Sequence, residues 1–166
     1  MFEKNSYVFH ESGGICRISD ICYAPLDGMP TDRLYYVMKP FYDPSGTIYV
    51  PVDSDRIFLR GLMKETEARS LLETLDTVEI LEEPCAKLLR GRYVESMRTY
   101  APTEWVRVIK TVSARTQACK TRTQRLSETE RGYAETAWRN LCTELSLVLH
   151  IDFSEAEGLL PEAWSF

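Results

Sequence analysis

Near residue 63 the sequence changes its hydrophobic period, and that change limits the chain to two differently built parts. Before it, apolar residues come in short runs separated by turn residues. After it they recur every three to four positions, the spacing of one face of an α-helix. A chain of 166 residues accommodates one domain of usual size or two small ones. The reading is an α+β chain of two domains, residues 1–63 in strands and residues 64–166 in helices. Neither an internal repeat nor a low-complexity linker separates them, so the boundary rests on the change of period alone.

Five runs are expected as strands: Ser6 to His10, Ile15 to Tyr23, Arg33 to Lys39, Thr47 to Val52 and Ile57 to Met63. Asp27-Gly28 is a hairpin signal, because glycine accepts positive φ, and it is expected to pair the second run with the third. Asp43-Pro44-Ser45-Gly46 is a second turn, with proline preset for its first bend. Four or five short strands in about sixty residues point to a small β-barrel, since closure removes the open edges of a flat sheet.

In the second part, Ala68, Leu71, Leu72 and Leu75 mark a first helix, ended by the β-rich stretch Thr77 to Leu81 and by Pro84. A second helix runs from about Cys85 to Tyr100 and is weakened at Gly91. Pro102 suits the first turn of a third, where its missing N–H is not needed, and Trp105, Val108, Ile109 and Val112 form its apolar stripe. Ser127-Glu128-Thr129-Glu130 matches a capping box and opens a long helix with Ala134, Ala137, Trp138, Leu141, Leu145 and Val148 facing inward. Ser154-Glu155-Ala156-Glu157 repeats that signature before a short last helix. Trp105, Trp138 and Trp164 read as core, and the whole reads as an all-α helical bundle.

Several function classes drop out. No apolar run approaches the eighteen or so residues of a membrane helix, and no signal-peptide core follows the first residues, so a cytoplasmic location without membrane contact is expected. The cysteines, Cys16, Cys22, Cys85, Cys119 and Cys142, are scattered, and the two histidines, His10 and His150, lie at opposite ends. That pattern reads as reduced, mostly buried thiols and gives no metal site. Without a Gly-rich phosphate loop, a Gly-x-Ser-x-Gly elbow or a paired His-Glu motif, no enzyme activity, cofactor or small-molecule substrate is expected.

The net charge of -5 argues at first against nucleic acid. Its distribution argues the other way. Residues 85–125 carry ten basic side chains and two acidic ones, a local charge of +8 inside an otherwise acidic chain. From Arg107 to Arg125 there is no acidic residue at all. Lys87, Arg90, Arg92, Arg107, Lys110, Arg115, Lys120, Arg122 and Arg125 are therefore candidate phosphate contacts.

Three stretches carry a family resemblance: Tyr7-Val8-Phe9-His10-Glu11-Ser12-Gly13-Gly14-Ile15-Cys16-Arg17-Ile18, Leu34-Tyr35-Tyr36-Val37-Met38 and Ile48-Tyr49-Val50-Pro51-Val52. They resemble the RNA-polymerase-interacting domain of CarD-type bacterial transcription regulators and of transcription-repair coupling factor. In the helical part, Leu126-Ser127, Glu130, Ala137, Leu141 and Glu144-Leu145 follow the order of the CarD type's final long helix. The coupling factor is a large helicase, and its motor motifs are absent here. The resemblance implies a Tudor-like or SH3-like barrel that docks on the β subunit of bacterial RNA polymerase, through positions held here by Tyr23, Ala24, Ile48, Tyr49 and Val50. It also implies a helical domain that contacts promoter DNA at the upstream edge of the melted bubble and modulates the open complex without catalysis.

Two departures from the family pattern stand out. CarD proteins often carry arginine at the two interface positions occupied here by Ala24 and Tyr49. The minor-groove wedge tryptophan of the family is missing from Lys87-Leu88-Leu89-Arg90-Gly91-Arg92-Tyr93, which leaves Leu88 or Leu89 as the candidate wedge. The alternative reading is a polymerase-bound adaptor whose helical domain contacts another protein.

Overall fold

The computed structural model describes residues 1–24, 26–121, 126–164 and 166, with the side chains of Lys120 and Thr121 set aside. It divides into two compact units, Met1–Leu62 and Met63–Phe166.

The first unit is a five-stranded antiparallel sheet: β1 Tyr7–His10, β2 Gly14–Tyr23, β3 Leu34–Pro40, β4 Ile48–Pro51 and β5 Leu59–Gly61, in the order β4-β3-β2-β1-β5. Alternate residues turn to one face, where Val8, Cys16, Ile18, Tyr36, Met38 and Val50 form the core, joined by Phe2, Ile21, Ile48, Val52, Ile57 and Leu59. Ser19 is an extra residue in β2: Ile18 pairs with Met38, but Asp20 already pairs with Val37. Such a bulge bends its strand and increases the local twist.

The sheet curls strongly. In a flat sheet three spacings of about 4.8 Å would part β4 from β1 by roughly 14 Å. Yet a Cβ built on Gly13, in the β1–β2 turn, would stand 2.5 Å from the Ile48 side chain of β4. Curling does not become closure. Among the described residues no ladder joins β4 to β5, so the sheet is a half-barrel with two edges rather than the closed barrel expected from the strand spacing. The connection from β2 to β3 also differs from the expected hairpin, for it spans residues 24–33. Gly28 does take the positive φ of +87° that its turn requires, but inside a longer loop.

The β1–β2 turn explains the run His10-Glu11-Ser12-Gly13-Gly14. The buried His10 ring accepts the Gly13 N–H at 2.9 Å and the Ser12 N–H at 3.3 Å on Nδ1. Nδ1 must therefore be unprotonated, which leaves the ring proton on Nε2. Gly14 takes φ +64°, a backbone conformation costly for any residue with a Cβ.

The second unit holds, among the described residues, α1 Glu65–Glu73, a 3-10 turn Leu75–Thr77, α2 Ala86–Arg98, α3 Pro102–Thr121, α4 Glu128–Leu149 and α5 Phe153–Gly158. Gly91 does not interrupt α2, and residues 78–84 form no strand. The extended segment is pinned instead by α3: the Leu81 N–H donates to Thr111 Oγ1 at 2.8 Å, and Val78 and Leu81 are buried. Ser127 caps α4 as expected, accepting the Glu130 N–H at 3.2 Å. The cap of α5 is Asp152 with Glu155 in the reciprocal position, so Ser154 lies inside the helix rather than before it. The carboxylate of Glu144, buried on α4, accepts the Met63 N–H at 2.7 Å. Trp105 is fully buried, whereas Trp138 and Trp164 are half-buried, Trp138 donating to Glu157 at 2.9 Å.

Cys16 and Cys142 are buried, and burial pushes their thiols up to about 11 and about 12, so both stay protonated at neutral pH. The expectation of mostly buried thiols fails for the other three: Cys22 and Cys119 are half-buried and Cys85 is exposed. Among the described residues no helix is long and apolar enough to cross a membrane.

His10 makes stability depend on pH. Burial lowers its pKa below the ordinary 6.5, with Glu11 opposing the shift. The unfolded chain therefore takes up a proton at His10 before the folded chain does, and stability is lost as pH falls through that interval. Urea unfolding at about pH 5.5 is expected to show a lower midpoint than at about pH 7.5. His10→Asn, which keeps an acceptor but cannot titrate, is expected to lose part of that difference; an unchanged difference would contradict the placement of His10.

Candidate interaction surfaces

The β4 edge can be built from its hydrogen-bond register. Tyr36 pairs with Val50 and Val37 with Tyr49, and the Val52 N–H donates to Leu34 O at 2.8 Å. Backbone groups alternate in direction along a strand, so Ile48, Val50 and Val52 address β3. Tyr49 is left with its N–H and C=O pointing away from the sheet. Pro51 shares that outward direction but has no N–H, which suits an edge position and ends any donor row there.

Side chains follow the same alternation. Val50 is core, Ile48 packs against the core, and Tyr49 lies half-buried on the opposite face. Of the three expected β4 contacts, only Tyr49 presents both backbone and side chain to a partner. Ile48 and Val50 are spent inward, because inward-facing side chains and inward-facing amides coincide at these two residues.

Tyr23 and Ala24 stand at the end of β2. Tyr23 is 64% exposed, and Ala24 turns the chain off the sheet with φ +36°. Tyr23 pairs with Leu34, which in turn accepts from Val52, so the end of β2 meets the end of β4 across β3. A groove of about 230 Å³ lies there, lined by Tyr23, Asp32, Arg33, Leu34, Val52 and Asp53. Asp32, Arg33 and Asp53 carry no sequence signal of their own and become visible only when the strand ends are brought together.

The basic stretch fares differently from its sequence reading. Arg107 pairs with Glu104 at 2.8 Å, and Arg115 with Glu130 at 2.8 Å. The Lys110 ammonium donates to three carbonyls, Leu75 O at 3.0 Å, Asp76 O at 3.0 Å and Val78 O at 2.5 Å, holding the turn after α1. These three cations are engaged inside the unit rather than presented to a phosphate. Glu130 also raises the pKa of the Tyr93 hydroxyl, after burial, which is the larger cause. Arg92 reaches the half-buried Glu83 at 3.3 Å and Glu95 at 3.2 Å, and the exposed Glu95 pair exchanges readily with another anion. The Lys120 side chain, Arg122 and Arg125 lie outside the described residues.

Among the described residues of the stretch, what remains is one face of α2. Leu89, Tyr93 and Ser96 share its buried side. At about 100° per residue, Lys87, Gly91 and Arg98 fall opposite, flanked by Arg90 and Leu88. Lys87, Arg90 and Arg98 are exposed and form no ion pair among the described residues. Leu88 is 51% exposed and Leu89 only 3%, so of the two candidate wedges Leu88 alone is accessible.

The two leucines are expected to separate cleanly. Leu89→Ala should lower the unfolding free energy by about 2–4 kcal/mol through the cavity it leaves. Leu88→Ala should stay within about 0.5 kcal/mol. Urea denaturation of both variants checks this, and a neutral Leu89→Ala would contradict its burial.

Residues 2–63 match the family model of the CarD-like/TRCF RID domain. That span coincides with the curled sheet, Met1–Leu62, and stops where the helical unit begins. Among curated proteins none matches the chain.

Proposed function

We propose, from the membership of residues 2–63 in the CarD-like/TRCF RID domain family, whose acronym denotes an RNA-polymerase-interacting domain, that the chain is a bacterial transcription regulator which adds the β4 edge to a strand of the polymerase β subunit. The observation that carries this reading is the outward N–H and C=O of Tyr49 on an edge strand of that domain. In strand addition the main-chain bonds supply affinity and alternate side chains supply specificity. Tyr23 and Ala24 flank the same contact at the end of β2. The sheet serves as a Tudor-like docking module, and no catalytic step is involved.

The helical unit, on this reading, touches promoter DNA through Lys87, Arg90 and Arg98 on α2, with Leu88 as the apolar contact in the minor groove. Three cations neutralise few phosphates, so binding to DNA alone is weak. Polymerase docking supplies the affinity by raising the effective concentration of the helical unit at the promoter. A factor that holds the open complex better than the closed one shifts that equilibrium without catalysing any reaction. The second reading, an adaptor whose helical unit meets another protein, is favoured by the internal pairing of Arg107, Lys110 and Arg115.

Two sets of variants separate the parts. Tyr49→Glu is expected to abolish co-purification with RNA polymerase while the circular dichroism of the chain is unchanged; retention of the polymerase would remove the assigned edge. Lys87→Glu with Arg90→Glu is expected to leave polymerase binding intact and shorten the lifetime of promoter complexes, with a salt dependence reduced by about two phosphate equivalents. A lifetime equal to that of the wild type would favour the adaptor.

A further inference from the structure

The groove at the end of β4 has a chemistry of its own. Tyr23, Leu34 and Val52 supply its apolar lining, and Asp32 and Asp53 its acidic lining. Arg33, which also lines it, is tied to Asp53 at 3.4 Å in an exposed pair. Such a pair exchanges at little cost. Asp32 forms no ion pair among the described residues. The loops that frame the groove, residues 24–33 and 52–58, carry four acidic side chains, Asp27, Asp32, Asp53 and Asp55, against Arg33 and Arg56. At about 230 Å³ the groove has room for one long side chain.

Its position is as informative as its lining. A partner strand paired with Tyr49 meets Pro51 next, where a C=O but no N–H is offered, so the ladder weakens at that point. Val52 and Asp53 follow directly in sequence and line the groove. We infer that the groove receives an arginine or lysine side chain of the polymerase segment that adds to β4, its methylene stem on Tyr23, Leu34 and Val52 and its cationic head at Asp32 and Asp53. An aliphatic stem over an apolar floor with the charge at a polar rim is how long basic side chains settle at surfaces. The inference rests on the strand-addition reading and specifies the partner's chemistry at that site. It places a negative determinant next to the contact, where the resemblance alone supplies only Tyr23 and Ala24.

The test uses the full chain and purified bacterial RNA polymerase core, with dissociation constants measured over a salt series for the wild type, Tyr49→Glu, Asp32→Lys and the double variant Asp32→Asn with Asp53→Asn. Both aspartates are exposed, so the fold is retained. Asp32→Lys is expected to weaken binding about ten-fold at low salt, the deficit shrinking toward about 0.5 M salt, where charges are screened. The double variant is expected to bind more weakly than the wild type and with a flatter salt dependence. Loss of binding only in Tyr49→Glu, with the aspartate variants equal to the wild type or tighter, overturns the groove assignment and leaves the edge reading intact. Wild-type affinity in Tyr49→Glu as well, or no binding by the wild type, overturns both.

Discussion

A five-stranded sheet that curls without closing must leave two rows of backbone groups without strand partners, and the rest of the first unit is arranged around that constraint. The bulge at Ser19 and the reach of Ile48 to the β1–β2 turn set how far the sheet curls. The β4 row is then trimmed to a short stretch, with Tyr49 offering both groups and Pro51 only an acceptor. Unpaired edges invite association with any extended chain, and short edges with proline are one way proteins restrict it. If a strand adds to this edge as proposed, the restriction confines it to one short stretch, and the acidic groove lies at its end.

The helical unit obeys a different constraint, the placement of cations among carboxylates and carbonyls. Lys110 donates to three backbone oxygens of the turn after α1, of which Leu75 O also accepts the Val78 N–H. Buried or half-buried carbonyls without a donor are costly, so this lysine has a structural task that competes with any ligand. Arg107 and Arg115 are similarly tied, and among the described residues of the basic stretch the cations without an ion pair lie on the outward side of α2. The opening net charge of -5 and the local +8 are both correct counts. Neither measures exposed, uncompensated charge, which is the quantity that a phosphate meets.

The sequence made parts of this legible for identifiable reasons. The five strands follow from runs of β-branched and aromatic residues, and the order of β1 to β4 from antiparallel neighbours joined by turns, whereas the pairing of β5 with β1 has no local signal. The change of period located the second unit, and the Ser127 capping box located the start of α4. Closure was misjudged because nothing local records whether β4 and β5 meet. The α5 cap was misjudged because Asp152 and Ser154 both begin capping-like patterns, and only the backbone decides between them. Charge compensation was misjudged over Arg107 to Arg125 because the acids that answer it, Glu104 and Glu130, lie outside that window. Leu88 and Leu89 are adjacent and chemically identical; the phase of α2 alone separates the exposed one from the buried one.

On the proposed function, Tyr49 offers its backbone to a strand of RNA polymerase. Hydrogen exchange at the β4 amides, measured for the chain alone and after addition of polymerase core, tests it most directly. Val50 and Val52 already donate within the sheet, so their exchange should be slow in both states. The account predicts that the Tyr49 amide exchanges fast in the free chain and slows markedly in the complex. Fast exchange at Tyr49 in a complex otherwise fully formed would contradict it.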